Sequence, residues 1–276
     1  MTFIYNREFR GPLEACIFDW AGTVLDFGCM APAAAFVEVF ERHQVPITVD
    51  EARAPMGAHK RVHIQEITEM AGVRQRWNDA HGRAPNDDDV ETMYQEFIPL
   101  QLNCLADHSA LIPGTLDVVG VLRDRDMKIG TTTGYIADMT AINLAEAKKQ
   151  GFEPDSTVCS DQVPKGRPYP DMCLQNAINL EVSSVQACVK VDDTVTGIEE
   201  GLNAGMWTVA LTVSGNEVGL SLDDWQALPG ADQARLRAKA EDKMRRSGAH
   251  YVIDTVADLM PCMDDIQARI MRGEKP

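Results

Sequence analysis

Asp19 ends the apolar run Cys16-Ile17-Phe18 and is followed at once by Trp20-Ala21-Gly22-Thr23. A carboxylate at the tip of a buried strand can attack phosphorus and form an aspartyl phosphate. Gly22 permits a tight turn there, whose backbone N–H groups can cradle phosphoryl oxygens. Taken alone, Asp19 fits a turn or a helix cap equally well. Three further groups follow in order. Thr133 and Gly134, in the stretch TTTGY, offer a hydroxyl and an N–H to a phosphoryl oxygen. The stretch VPKGRPYPD supplies Lys165 and Arg167 on a proline-stiffened loop. Arg167 suits paired phosphate oxygens through its fork, whereas Lys165 reads as a surface cation. Last, VKVDDTVTG sets Asp192 and Asp193 at the end of an apolar strand. Adjacent carboxylates there are costly unless they bind a cation, and oxygen ligands of this kind suit Mg²⁺. The alternative is that one caps a helix and the other meets solvent.

Two residues after Asp19 stands Ala21. An acid at this point would protonate an alkoxide leaving group, and its loss costs on the order of 10²–10⁴ in rate where that proton is needed. A phosphate ester is therefore a poor substrate for this pattern. Cleavage of a phosphorus–carbon bond needs a different device, because the departing atom is a carbanion. A lysine condensed with a neighbouring aldehyde supplies one: the iminium accepts the electrons and becomes an enamine. The stretch RAPMGAHKRVHI holds a candidate. Pro55-Met56-Gly57 makes a bend, and Lys60 falls in the first turn of the next helix, where the dipole disfavours a second positive charge. Partial burial would lower the amine's pKa further. His63, three residues on, shares that helix face and could shuttle protons. A helix lysine is ordinarily solvated, so spacing alone leaves both readings open.

These groups need elements to hold them. Short β-rich runs (EACIFD, KIGTTTG, STVCS, ACVKVDD, WTVALTV and HYVID) alternate with helical patterns along the chain. Runs apolar on both faces indicate a parallel sheet covered on both sides, a doubly wound α/β core with ligands at the carboxyl ends of its strands. From about residue 31 to about residue 110 the rhythm changes to helices alone. PAAAFVEVFERHQ is amphipathic, VDEARAPM opens with a capping box, HKRVHIQEITEMAG ends in a glycine stop, and NDDDVETMYQEF opens with acids suited to a helix N-terminus. This reads as a helical cap (29–110) inserted into an α/β core (1–28 and 111–276), with Pro113-Gly114 marking the return.

The 276 residues are 45% hydrophobic and 25% charged, as in an ordinary globular protein. A formal charge of −16 repels phosphodiester backbones, so nucleic acid is an unfavoured partner, while a small anion can still be held by local cations. The seven cysteines are scattered without metal-binding spacing, as expected for reduced thiols. No apolar stretch approaches the roughly 20 residues of a membrane span. The expectation is a soluble, cytoplasmic protein.

The strand-end groups resemble the four motifs of the haloacid dehalogenase (HAD) superfamily. FDWAGTVLDFGCMAP, DEARAPMGAHK, TTTGY, VPKGRPYPDMC and GLNAGMWTVAL together resemble its phosphonatase (phosphonoacetaldehyde hydrolase) family nearly end to end. The resemblance implies a HAD-like core with a cap, Asp19 as nucleophile, Thr133 and Gly134 as phosphoryl binders and Arg167 as stabilising cation. It implies Mg²⁺ on Asp19, the Ala21 backbone carbonyl and Asp193, with Asp192 a further candidate. Some relatives carry another acid where this chain has Gly197, and Asp192 stands to take over its role. Lys60 would be the Schiff-base lysine, with Met56, Gly57, Cys29, His63 and Tyr135 lining the site. The implied reaction turns phosphonoacetaldehyde into acetaldehyde and phosphate, in phosphonate degradation, in a homodimer joined through the caps. Lys60 or His63 could serve as base for the final hydrolysis. Two rival readings stand beside it. A HAD-type phosphomonoesterase or phosphomutase wants an acid where Ala21 sits, and a non-catalytic phosphate-ligand binding protein would have lost its carboxylates.

Overall fold

A computed structural model describes residues 8–276; the first residues of the expected core segment, 1–7, lie outside the described residues. Six strands form one parallel sheet in the order β3-β2-β1-β4-β5-β6. They are β1 (Ala15–Phe18), β2 (Lys128–Thr133), β3 (Ser156–Cys159), β4 (Cys188–Asp192), β5 (Trp207–Leu211) and β6 (Tyr251–Ile253), and each falls inside a run that the sequence marks as β-rich. Alternation explains the covering of both faces. Cys16 and Phe18 join one apolar cluster with Val118, Leu122, Met263 and Ile266, while Ala15 and Ile17 join another with Cys173 and Ala177.

Between β1 and the next strand the chain is helical: α1 (Met30–Arg42), α2 (Val49–Arg53), α3 (Lys60–Glu69), α4 (Ala71–His81), α5 (Asp87–Leu105) and α6 (Thr115–Asp124). Local chemistry sets several boundaries. The Thr48 hydroxyl accepts from Glu51 N–H and Glu51 accepts from Thr48 N–H, the capping box expected for α2. Asn86 and Asp89 repeat it at α5. One boundary differs from the sequence reading. Gly72 does not stop α3, which ends at Glu69; it lies in the first turn of α4, and the glycine that ends that helix is Gly82, at φ 70°. A cluster containing Phe36, Phe40, Ile64, Trp77 and Phe97 joins α1, α3, α4 and α5. Full burial of each such ring stabilises by roughly 1.5–3 kcal/mol. Tyr135 and Met139, from the β2 side, belong to the same cluster.

The remaining helices follow the strands: α7 (Ala137–Lys149), α8 (Asp171–Asn179), α9 (Val195–Asn203), α10 (Leu222–Ala227), α11 (Gly230–Arg246) and α12 (Leu259–Met271). Parallel order brings the carboxyl ends of β1, β2 and β4 side by side beneath α2 and α3, and the site lies there. No helix among the described residues is long and apolar enough to cross a membrane.

Candidate active site

A cavity opens where the strand ends meet the helical segment, and its wall includes Asp19, Ala21, Cys29, Met56, Gly57 and Lys60. Thr133, Gly134, Tyr135, Arg167 and Asp193 complete it, with Pro32 and Thr194. On the strand side, Asp19 follows β1 and Asp193 follows β4. One oxygen each from Asp19, Asp192 and Asp193 lie within 4.8 Å of one another, all three residues buried. Burial and the neighbouring Asp192 push the Asp19 carboxyl up to about 6, against the pull of Arg167. Burial and the charges of Asp19 and Asp192 push Asp193 well above its ordinary range.

Arg167 is buried and its Nη2 donates to Asp19 Oδ1 at 2.7 Å and to the Thr132 hydroxyl at 3.0 Å. Its Nε donates to Glu200 Oε2 at 2.9 Å, leaving Nη1 without a partner among the described residues. Beneath it, Lys190 in the middle of β4 lies 2.9 Å from Asp192 Oδ2 and 3.7 Å from Glu200 Oε2. Asp192 is thereby occupied. Oδ1 accepts from Thr194 N–H and hydroxyl, and Oδ2 faces Arg167 and Lys190. Burial raises its pKa, but the two cations outweigh that and hold it below the usual carboxylate value. Four acids (Asp19, Asp192, Asp193, Glu200) thus surround two bases (Arg167, Lys190) in a buried cluster. With every acid ionised, the formal excess of two negative charges and the three-carboxylate cradle fit a divalent cation bound through oxygen.

From the opposite wall comes Lys60, the first residue of α3, only 3% exposed. Its Nζ lies 4.9 Å from the Tyr135 ring centre and 5.5 Å from that of Phe36, with no hydrogen-bond acceptor among the described residues. Burial in these aromatic surroundings lowers its pKa to about 8, although Asp19 works in the opposite direction. The loop before it is seated closely on the strand ends. A Cβ at Gly57, whose φ is +95°, would lie 2.4 Å from the Thr196 hydroxyl, and one at Gly134 would lie 2.8 Å from Ala58 O. Both positions therefore exclude any larger side chain.

Two expected site residues stand back from the cavity wall. His63 is fully buried, its ring stacked on Phe36 at 3.8 Å, and its Nε2–H donates to Ala52 O at 2.8 Å. Burial holds it neutral, and its Nδ1 has no partner. Asp192 lies behind Asp19. Lys165 is exposed and packs over the Tyr169 ring at 4.5 Å. Sequence reasoning passed over Lys190 and Glu200, which complete the charge cluster. The signal for Lys190 was a lysine between two valines in a strand buried on both faces. Cys29 donates its thiol to Asp193 Oδ2 at 3.2 Å, which joins the helical segment's first residue to the carboxylate cluster.

Known proteins carry the same arrangement of sequence and fold. The haloacid dehalogenase-like hydrolase family profile matches residues 13–205. The chain is 48% identical to the phosphonoacetaldehyde hydrolase of Hahella chejuensis over 276 residues, covering 100% of this chain and 94% of that protein. To the phosphonoacetaldehyde hydrolase of Pseudomonas aeruginosa it is 47% identical over 272 residues, 99% of this chain and 98% of that one. A crystal structure of a phosphonoacetaldehyde hydrolase-like protein from Oleispira antarctica superimposes with a TM-score of 0.97 at 46% identity, covering 100% of both chains. The chain belongs to the phosphonoacetaldehyde hydrolase family of haloacid dehalogenase-like hydrolases.

Proposed function

We propose that the chain hydrolyses the carbon–phosphorus bond of phosphonoacetaldehyde, releasing acetaldehyde and phosphate. One observation carries the reading: an unbonded, buried amine, Lys60, shares a cavity with the strand-end carboxylate Asp19, and the position for a leaving-group acid is Ala21. Residues 29–110 act as the cap and the rest as the core.

The neutral Lys60 amine adds to the aldehyde carbon; loss of water leaves an imine, whose nitrogen takes up a proton from solvent. Asp19 attacks phosphorus; as the P–C bond breaks, its electron pair moves into the new C=C bond and the imine π electrons settle on nitrogen. The product is an enamine, which takes a proton at carbon and is hydrolysed to acetaldehyde and free Lys60. Water then cleaves the aspartyl phosphate. The free arm of Arg167, with Thr133 and Gly134, binds the phosphoryl oxygens. Lys60 after release, or His63 through an intervening water, takes the proton of the attacking water. Asp19, Asp193 and the Ala21 carbonyl would hold Mg²⁺, which supplies charge neutralisation and polarises a phosphoryl oxygen. Asp192, engaged by Lys190 and Arg167, positions Arg167 from behind. Met56, Gly57, Cys29 and Tyr135 enclose the aldehyde end.

The same proposal extends to a homodimer joined through the caps, where Val49 and Val62 are exposed, and to the cytoplasm, a reducing compartment that suits seven free cysteines. Borohydride reduction with phosphonoacetaldehyde, followed by peptide mapping, tests the chemistry. A reduced adduct is expected on Lys60. An adduct confined to another lysine, or turnover of sugar phosphates matching that of the phosphonate, would overturn the reading.

A further inference from the structure

Arg53, the last residue of α2, is buried with no carboxylate paired to it among the described residues. Burying an unpaired guanidinium is costly, so its contacts must be specific. They are three oxygens and a sulfur that join separate parts of the chain. Nη1 donates to Gly28 O at 2.7 Å and to Asn216 Oδ1 at 3.3 Å; Nη2 donates to Gly219 O at 3.1 Å and meets Met30 Sδ at 3.5 Å. Gly28 lies in the crossing from β1 to α1, and Asn216 and Gly219 lie in the loop between β5 and α10. Asn216 answers with its own amide: Nδ2 donates to Arg53 O at 3.1 Å. The pair is reciprocal, with side chain and backbone bonded on the helical side.

Each partner also reaches the reacting groups. The Asn216 backbone N–H donates to Asp193 Oδ2 at 2.8 Å, the same oxygen that faces Cys29. Arg53 leads within a few residues to Met56, Gly57 and Lys60. Further along this seam, the Thr196 hydroxyl donates to Met56 O at 3.3 Å. We propose that Arg53 and Asn216 form a latch: the contact that seats the loop carrying Lys60 also fixes Asp193. This inference rests on reading Lys60 and Asp193 as two halves of one hydrolytic site. Both latch members are positioning residues, since neither touches the reacting atoms.

The test uses the full chain and the variants Arg53→Lys, Asn216→Ala and their combination. Lys60 reactivity toward trinitrobenzenesulfonate, followed by peptide mapping without substrate, reports how often its loop lifts. Loss of a charged hydrogen bond should raise that rate by about tenfold in each single variant. If the two side chains act as one unit, the double variant reacts no faster than the singles. Mg²⁺ titration by calorimetry checks the second half of the proposal. Asn216→Ala keeps the backbone N–H that meets Asp193, so a several-fold loss of Mg²⁺ affinity there comes through the lost side-chain contacts, those with Arg53 (3.1 and 3.3 Å) and the longer one with Glu217 (3.4 Å). Arg53→Lys, which leaves the Glu217 contact in place, should show the same loss. With phosphonoacetaldehyde, Arg53→Lys should retain more kcat/KM than an Arg53→Met variant. Parental Lys60 reactivity in both singles, strictly multiplicative effects in the double, or unchanged Mg²⁺ affinity in Asn216→Ala would each overturn the latch. Absence of phosphonoacetaldehyde turnover in the parent defeats the functional reading instead, and the substrate-free labelling and the metal titration still decide the latch.

Discussion

The carboxylate of Asp192 occupies the space that any side chain at Gly197 would need: a Cβ built at 197 would lie 2.0 Å from Asp192 Oδ2 and 2.1 Å from its carboxyl carbon. One acid thus fills the volume beside Arg167 that a residue on the first turn of α9 could otherwise enter. Gly197→Ala should force Asp192 out of its contacts and cost about 1–3 kcal/mol through overpacking, read by urea denaturation. The exchange Asp192→Gly with Gly197→Asp should recover part of the turnover that Asp192→Gly alone loses. If the double variant is no better than the single, location of the acid matters more than its charge.

Lys60 predicts two responses to pH, both rising with it but over different ranges. Imine formation requires the neutral amine, and burial sets its pKa at about 8, so kcat/KM should fall as pH drops below that value. Stability follows from the same displacement over the range above it. The unfolded chain carries this lysine near its ordinary 10.5, so between about 8 and 10.5 the unfolded state binds more protons and stability rises with pH. Below about 8 the full cost of roughly 3 kcal/mol is present. Lys60→Met should therefore stabilise the fold at pH 7, with the gain fading toward pH 10.5, while abolishing P–C cleavage. Thermal melts across that range check the sign.

Much of this was legible in the residues themselves. The six strands announce themselves because a sheet covered on both faces needs unbroken apolar runs, and parallel order then gathers their carboxyl ends around one point. Asp19, Thr133, Arg167 and Asp193 come together for that reason. The α3–α4 boundary was not legible, because Gly72 looks like a stop yet is accommodated in a first turn, where helix hydrogen bonds are still incomplete. Arg53 gave no signal either: it bonds backbone carbonyls and an amide 163 residues away, and nothing local in a sequence encodes such a pairing.

Glu200 and Lys190 should behave as one unit. Lys190→Met leaves two buried carboxylates short of a cation and should cost roughly 3–5 kcal/mol. Adding Glu200→Gln to that variant removes one of the stranded charges and should return part of the stability. Additive losses in the pair, measured by denaturant titration, would show the two to be independent.

Ala21 can be asked directly what its smallness permits. Ala21→Asp brings a further carboxylate to a cavity already rich in them, so phosphonoacetaldehyde turnover should drop by at least about tenfold. The new acid can protonate an alkoxide, and activity toward small phosphate monoesters should rise from background. A phosphate-release panel measures both together.

Stripping divalent cations with a chelator should abolish turnover, and Mg²⁺ should restore it. Asp193→Asn should weaken Mg²⁺ binding in calorimetry even where the fold persists. Recovery of full activity in chelated protein would disconnect the carboxylate cradle from the reaction.

Tyr135 and Met139 come from the floor yet sit within the oily nucleus of the roof. Lifting the roof must therefore peel two floor side chains away and wet them, a burial cost that favours the shut posture. Attraction of that oily kind slackens on cooling. A cold environment should loosen this enclosure sooner than the charged cluster beneath it, and chilling should ease escape of the products before it disturbs the groups that make them.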